Sequence, residues 1–137
     1  MERSFVMIKP DGVRRRLIGC ILKRFEKKNL TIKGLKLIKI EEEKAKIHYK
    51  EHTGKDFFDK LIKYITSGPV VAMVWEGENC ISEIRKMVGA TDPQKALPGT
   101  IRGDYGLSLN ENIIHASDSE KNAKREIELF FDADELV

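Results

Sequence analysis

A chain of 137 residues, 41% hydrophobic and 34% charged, is long enough to bury one core without staples. Its formal net charge of +3 is too small to imply nucleic acid by itself, although converging positive groups would still favour anions. The charged N-terminus (Glu2, Arg3) lacks an apolar signal core and no apolar run nears a membrane span, so we expect one cytoplasmic domain over 1–137. Cys20 and Cys80 lie far apart without metal-ligand spacing and read as reduced core residues.

Ser4 to Lys9 reads as a buried strand, stopped by the turn signal Pro10-Asp11-Gly12. Ile18, Ile21, Leu22 and Phe25 recur at helical spacing and predict an amphipathic helix. Thr31 to Ile40 predicts a second strand with imperfect alternation. A short helix follows, opened by Glu41, Glu42 and Glu43 and closed by Lys50, His52 and Gly54, a charge order that suits the helix dipole. Phe57, Phe58, Leu61, Ile62 and Ile65 mark another helix, cut off by Ser67-Gly68-Pro69. Val70 to Trp75 is a continuous apolar run and predicts a central strand, with Ile81, Ile84 and Val88 on the helix after it. Thr91 to Leu109 has no clear period and reads as a long loop, which in a compact domain is usually functional or disordered. A last strand holds His115, and Ala123, Ile127, Phe130 and Phe131 put one face of a final helix on the core. This order fits an α+β, ferredoxin-like split βαβ sandwich with a four-stranded, mostly antiparallel sheet covered by helices. Other α+β sandwiches also fit the periodicity.

Asn112-Ile113-Ile114-His115-Ala116-Ser117-Asp118-Ser119 is the segment that speaks most to chemistry. Two isoleucines favour a strand, and Ser117, Asp118 and Ser119 are good helix caps, so His115 is expected at a strand-to-helix corner. An imidazole fixed there can act as a nucleophile, whereas a lone histidine beside apolar residues is more often structural. The other two histidines have no such setting. Glu126 lies beside the buried stripe of the last helix, where it either reaches solvent or meets a polar partner. A bond to His115, completed by Ser117, would fix the tautomer. Lys9 at a strand end, Arg85 on a helix and Arg102 among glycines each have a solvated explanation, but together they suggest a phosphate clamp. GxxxxGK[ST] and GxGxxG are absent, which argues against a P-loop, a dinucleotide fold and a protein kinase. Arg14-Arg15-Arg16 is read as a solvated turn.

Four stretches in order carry a resemblance that spans the chain: Val6-Met7-Ile8-Lys9-Pro10-Asp11-Gly12-Val13, then Ser67 to Gly77, then Pro98-Gly99-Thr100-Ile101-Arg102-Gly103-Asp104, then the His115 segment. The sequence resembles the nucleoside diphosphate kinases. The resemblance implies transfer of the terminal phosphate of a nucleoside triphosphate to a nucleoside diphosphate in two half-reactions, with His115 carrying the phosphate between them. It implies that Lys9, Tyr49, Arg85, Thr91, Arg102 and Asn112 line the phosphate and ribose region. Phe57 and Leu61 would flank the base with Leu109 opposite, and Glu126 and Ser117 would support the histidine. Mg²⁺ would be held through the nucleotide phosphates, with no dedicated protein ligand.

Ala116 stands where many members have glycine, and the small side chain is expected to preserve activity. The chain stops at Leu136-Val137, short of a longer tail seen in some members. A homo-oligomer is implied, the complete loop from Thr91 to Arg102 favouring a hexamer over a tetramer or dimer. No membrane and no specific nucleic acid are expected. Two other functions compete: a non-enzymatic nucleotide or nucleic-acid module, and a histidine phosphatase or phosphorelay. The joint presence of Lys9, Arg85, Arg102, Asn112 and Glu126 argues against both.

Overall fold

The computed structural model describes residues 1–137. Four strands, β1 (Glu2–Ile8), β2 (Thr31–Ile38), β3 (Val70–Gly77) and β4 (Ile114–Ala116), form one sheet in the order β2-β3-β1-β4. Every pair is antiparallel, as the ferredoxin-like expectation requires. The helices are α1 (Pro10–Arg14), α2 (Ile18–Lys27), α3 (Glu42–His48), α4 (Phe58–Ile65), α5 (Cys80–Val88), α6 (Ile101–Tyr105) and α7 (Glu120–Phe130).

Central strands β1 and β3 have no polar face because both sides of the sheet are covered. Val6, Ile8, Met73 and Trp75 pack with Ile21 and Phe25 of α2 and Ile81, Ile84 and Val88 of α5. Phe5, Met7, Ala72 and Val74 pack on the other side with Ala45 of α3, Ile62 and Ile65 of α4 and Phe130 of α7. Continuous burial of alternate side chains in opposite cores is why these strands read as unbroken apolar runs. Edge strand β2 differs: Leu35 and Leu37 are exposed.

Several boundaries depart from expectation. The Pro10-Asp11-Gly12 turn is the start of α1, with proline at a position that needs no N–H and tolerates its fixed φ. The second strand ends at Ile38 rather than Ile40. The long loop contains α6, whose N-cap Thr100 accepts a hydrogen bond from the Gly103 N–H. Cys80 is buried as expected, but Cys20 is only partly so.

The candidate active site

β4 delivers the histidine. His115 pairs with Met7 of β1 across an antiparallel register, so its ring shares the sheet face of Phe5 and Met7 and turns toward α3 and α7. After Ala116 the chain leaves the sheet, and Ser119 caps α7 by accepting from the Asn122 N–H. That short connection brings Glu126, on the inner face of α7, within 3.0 Å of His115 Nε2. Glu126 is buried, so of the two readings open from sequence the paired one holds. Ser117 Oγ donates to the other carboxylate oxygen at 2.6 Å and accepts from the Phe5 N–H at 3.2 Å.

Burial pushes the Glu126 carboxyl up, but the hydrogen bond and charge of His115 and the bond from Ser117 outweigh it and hold the group below its usual range. A carboxylate at that distance accepts a proton-bearing nitrogen. In the tautomer with the hydrogen on Nε2, this bond would leave the lone pair on Nδ1.

A second histidine lies against the first. The His48 ring stands edge-on to His115 with centroids 4.9 Å apart, and its two nitrogens have no hydrogen-bond partner. Its Nδ1 is 4.0 Å from Glu126, but the two do not form an ion pair, because burial and then the charge of His115 lower His48 to about 3. Sequence reading set this histidine aside. The spacing of Ala45, His48 and Tyr49 on one helical face was the available sign of its burial.

The remaining residues fall into two groups. Lys9, Tyr49, Phe57, Leu61, Thr91, Leu109 and Asn112 line a cleft of about 630 Å³, a size that suits a small-molecule ligand. Lys9 Nζ donates to Asn112 Oδ1 at 2.8 Å, and Asn112 Nδ2 donates to the Thr91 carbonyl at 3.1 Å. Burial and then the neighbouring Arg102 charge lower the Lys9 amine to about 8, partly offset by Asp11. Tyr49 keeps a buried hydroxyl with no partner, and burial holds that phenol protonated. Phe57 and Leu109 are about half exposed at the mouth, at 48% and 57%.

Arg85 and Arg102 form the second group, outside the cleft lining. Arg85 Nη1 donates to the Ala116 carbonyl at 3.1 Å. Arg102 is buried, and all three guanidinium nitrogens donate to carbonyls: Asn112 at 3.2 Å, Gly89 at 3.1 Å and Ile114 at 2.5 Å. Sequence alone suggests this guanidinium for a phosphate clamp together with Lys9 and Arg85. In the fold it braces the segments before and after Ile113 while adding positive charge behind the site.

Metal-binding chemistry is limited. His48, His115 and Glu126 are the one group of potential ligands that converge, and two imidazoles suit softer cations than Mg²⁺. A hard ion is better matched to phosphate oxygens than to this donor set. A separate hollow of about 490 Å³, between the first residues and α7, has no histidine. No helix is long and apolar enough to cross a membrane.

Comparison with known proteins adds the family. The model described as "Nucleoside diphosphate kinase" matches residues 2–136. The chain is 63% identical over 137 residues to a nucleoside diphosphate kinase of Sulfurisphaera tokodaii, covering 100% of this chain and 93% of that protein. With that of Bacillus licheniformis it shares 61% over the same span and coverage. Among solved structures, it is similar to a halophilic nucleoside diphosphate kinase from Halobacterium salinarum in complex with CDP. There the TM-score is 0.97 at 58% identity, over 99% of this chain and 91% of that one. A family protein from Babesia bovis gives a TM-score of 0.98 at 47% identity, over 100% of this chain and 93% of that one.

Proposed function

The chain belongs to the nucleoside diphosphate kinase family, and from that premise we propose that it exchanges phosphate between nucleotides in two steps through His115. The single observation that carries the mechanism is the buried Glu126 carboxylate 3.0 Å from His115 Nε2, which leaves Nδ1 as the free nucleophile. In the first half-reaction Nδ1 forms a bond to the terminal phosphorus as the bond from that phosphorus to the bridging oxygen breaks. The nucleoside diphosphate departs with the electron pair. The ring becomes a positively charged phosphoimidazole, and Glu126 opposes that charge while Ser117 keeps the carboxylate in line. A second nucleoside diphosphate then attacks the same phosphorus in reverse, so one site serves donor and acceptor.

The other residues bind and neutralise. Phosphoryl transfer asks the protein mainly for positioning and charge stabilisation. Lys9 meets phosphate oxygens from the cleft, with Asn112 orienting its amine and holding the ribose side. Arg85 and Arg102 supply positive charge from behind β4, Tyr49 offers its free hydroxyl, and Thr91 closes the phosphate end. Phe57 and Leu61 hold the base against Leu109 by apolar contact, which reads no base edge and favours broad nucleotide tolerance. A halophilic relative holding CDP fits such a cleft. Mg²⁺, when bound, would be held through the nucleotide phosphates and would neutralise their charge, since His48, His115 and Glu126 are a donor set better suited to softer cations.

We further propose one domain over 1–137 that works in the cytoplasm, where its free thiols stay reduced, and assembles as a homo-oligomer, a hexamer ahead of a tetramer. Exposed Leu35 and Leu37 on edge strand β2 favour assembly. Light scattering behind size exclusion tests the oligomer, which a stable monomer at micromolar concentration contradicts. Two-substrate initial-rate kinetics tests the exchange. Parallel double-reciprocal lines are expected, and intersecting lines would mean a ternary complex without a phosphoenzyme.

A further inference from the structure

Asp11 is a buried polar group with no part in the reaction set out above. It is 2% exposed, and its carboxylate oxygens meet donors from distant parts of the chain. Oδ2 accepts from the Ile113 N–H at 3.1 Å, and Oδ1 accepts a short hydrogen bond from the Tyr64 hydroxyl. A carboxylate taken out of water is tolerated only where such donors replace its solvation.

Both partners lead to the site. Ile113 immediately precedes β4 and has a φ of +74°, a left-handed conformation that a β-branched residue rarely adopts. Its carbonyl accepts from the Lys9 N–H at 2.7 Å, so the Lys9–Asp11 turn grips both backbone polar groups of Ile113. Gly12 makes that approach possible: a Cβ there would lie 2.7 Å from Ile8 Cγ2 and 3.1 Å from Ile113 Cγ2. His115 follows two residues later. Tyr64 sits in the last turn of α4, the helix that carries Leu61 and is preceded by its N-cap Phe57. One carboxylate thus ties the histidine strand to the helix of the base lip.

We propose that Asp11 is a positioning residue that holds Ile113 in its left-handed turn, aims His115, and through Tyr64 sets the distance between base lip and nucleophile. The proposal rests on His115 as nucleophile and on Phe57 and Leu61 as the base clamp. Backbone strain of this kind persists only where the surroundings over-determine it, and here one backbone bond to Lys9 and one bond to the buried Asp11 carboxylate hold it.

The test compares Asp11→Ala, Asp11→Asn and Tyr64→Phe in the full chain by rapid-quench phosphorylation with Mg·ATP. Melting temperature is followed in parallel. A pH of 6.5 limits any change in Lys9 protonation, since that amine lies near 8. Asparagine can accept from Ile113 and donate to the Tyr64 oxygen, so it preserves the bridge. Asp11→Ala is expected to lower the maximal phosphorylation rate roughly tenfold or more, and Asp11→Asn to restore most of it. Tyr64→Phe cuts only the α4 side and should raise the half-saturating ATP concentration about fivefold, with less effect on the maximal rate.

Lower melting temperatures with wild-type rates and half-saturation in all three variants would overturn the proposal, because the bridge would then be merely structural. An asparagine variant as slow as alanine would also overturn it, since charge rather than aim would be at work. Should Asp11→Ala fail to fold, Tyr64→Phe decides through its split between half-saturation and rate. A wild-type protein that takes up no phosphate would instead sink the reading of His115.

Discussion

The histidine wall and the proposed base lip are built differently. His115 is held by a carboxylate that is itself held by Ser117, and Glu126 and Ser117 are buried between β1 and α7. Phe57 and Leu109 stand half exposed at the mouth. A reacting atom loses rate steeply when its aim is off by a fraction of an ångström, whereas a stacked base tolerates sliding. Under the proposed exchange, the well-anchored side chain is the one that would form a bond, and the exposed ones are those that would hold the base by apolar contact.

The sharpest way to break this contrast is at the wall. His115→Ala is expected to lower turnover to background and abolish phosphoenzyme, while nucleotide binding measured by calorimetry persists. Lys9→Ala follows, with kcat/KM reduced by a factor on the order of 10²–10³, or ~3 kcal/mol, by analogy with lost oxyanion donors. Near-normal turnover in that variant would remove Lys9 from the clamp. Glu126→Gln keeps the shape but loses the charge opposite the phosphoimidazole. By analogy with outer-shell partners of metal-bound histidines, it should slow phosphorylation by ~10–100-fold.

The lip should respond otherwise. Phe57→Ala is expected to raise KM by a factor corresponding to ~1–2 kcal/mol, about equally for purine and pyrimidine nucleotides, with kcat nearly unchanged. Loss in kcat instead would mean that the lip shares in aiming the phosphate. The smallest effect is in pH. Burial lowers free Lys9 to about 8, so its charge is present below that value and lost above it. kcat/KM should therefore fall as pH rises through about 8, and Lys9→Arg should flatten that limb because its guanidinium stays charged. A limb that persists in Lys9→Arg would belong to another group.

The same contrast decides what was legible in the sequence. Strands β1 and β3 showed themselves because burial on both faces leaves no polar alternation, and α2 and α5 because one stripe meets the core. The His115 corner was visible from its isoleucines and a run of capping residues, although β4 starts only at Ile114 and Ile113 turns left-handed before it. Helix α6 was not, since five residues including a glycine carry no period. The burial of Asp11 was hidden because Pro-Asp-Gly reads as a solvated turn, and its partners Tyr64 and Ile113 lie 53 and 102 positions away. Neither the edge-on contact of His48 with His115 nor the carbonyls that engage Arg102 has a local sequence signature. Besides the short helices α1 and α6, long-range polar contacts were what the chain concealed.

Intact-protein mass spectrometry after brief incubation with Mg·ATP tests the central claim most directly, on wild type and His115→Ala, followed by a GDP chase. A phosphate-sized gain in wild type alone, lost as GTP forms, is the predicted result. No gain in either protein, under conditions that preserve acid-labile phosphohistidine, would contradict the two-step exchange through His115.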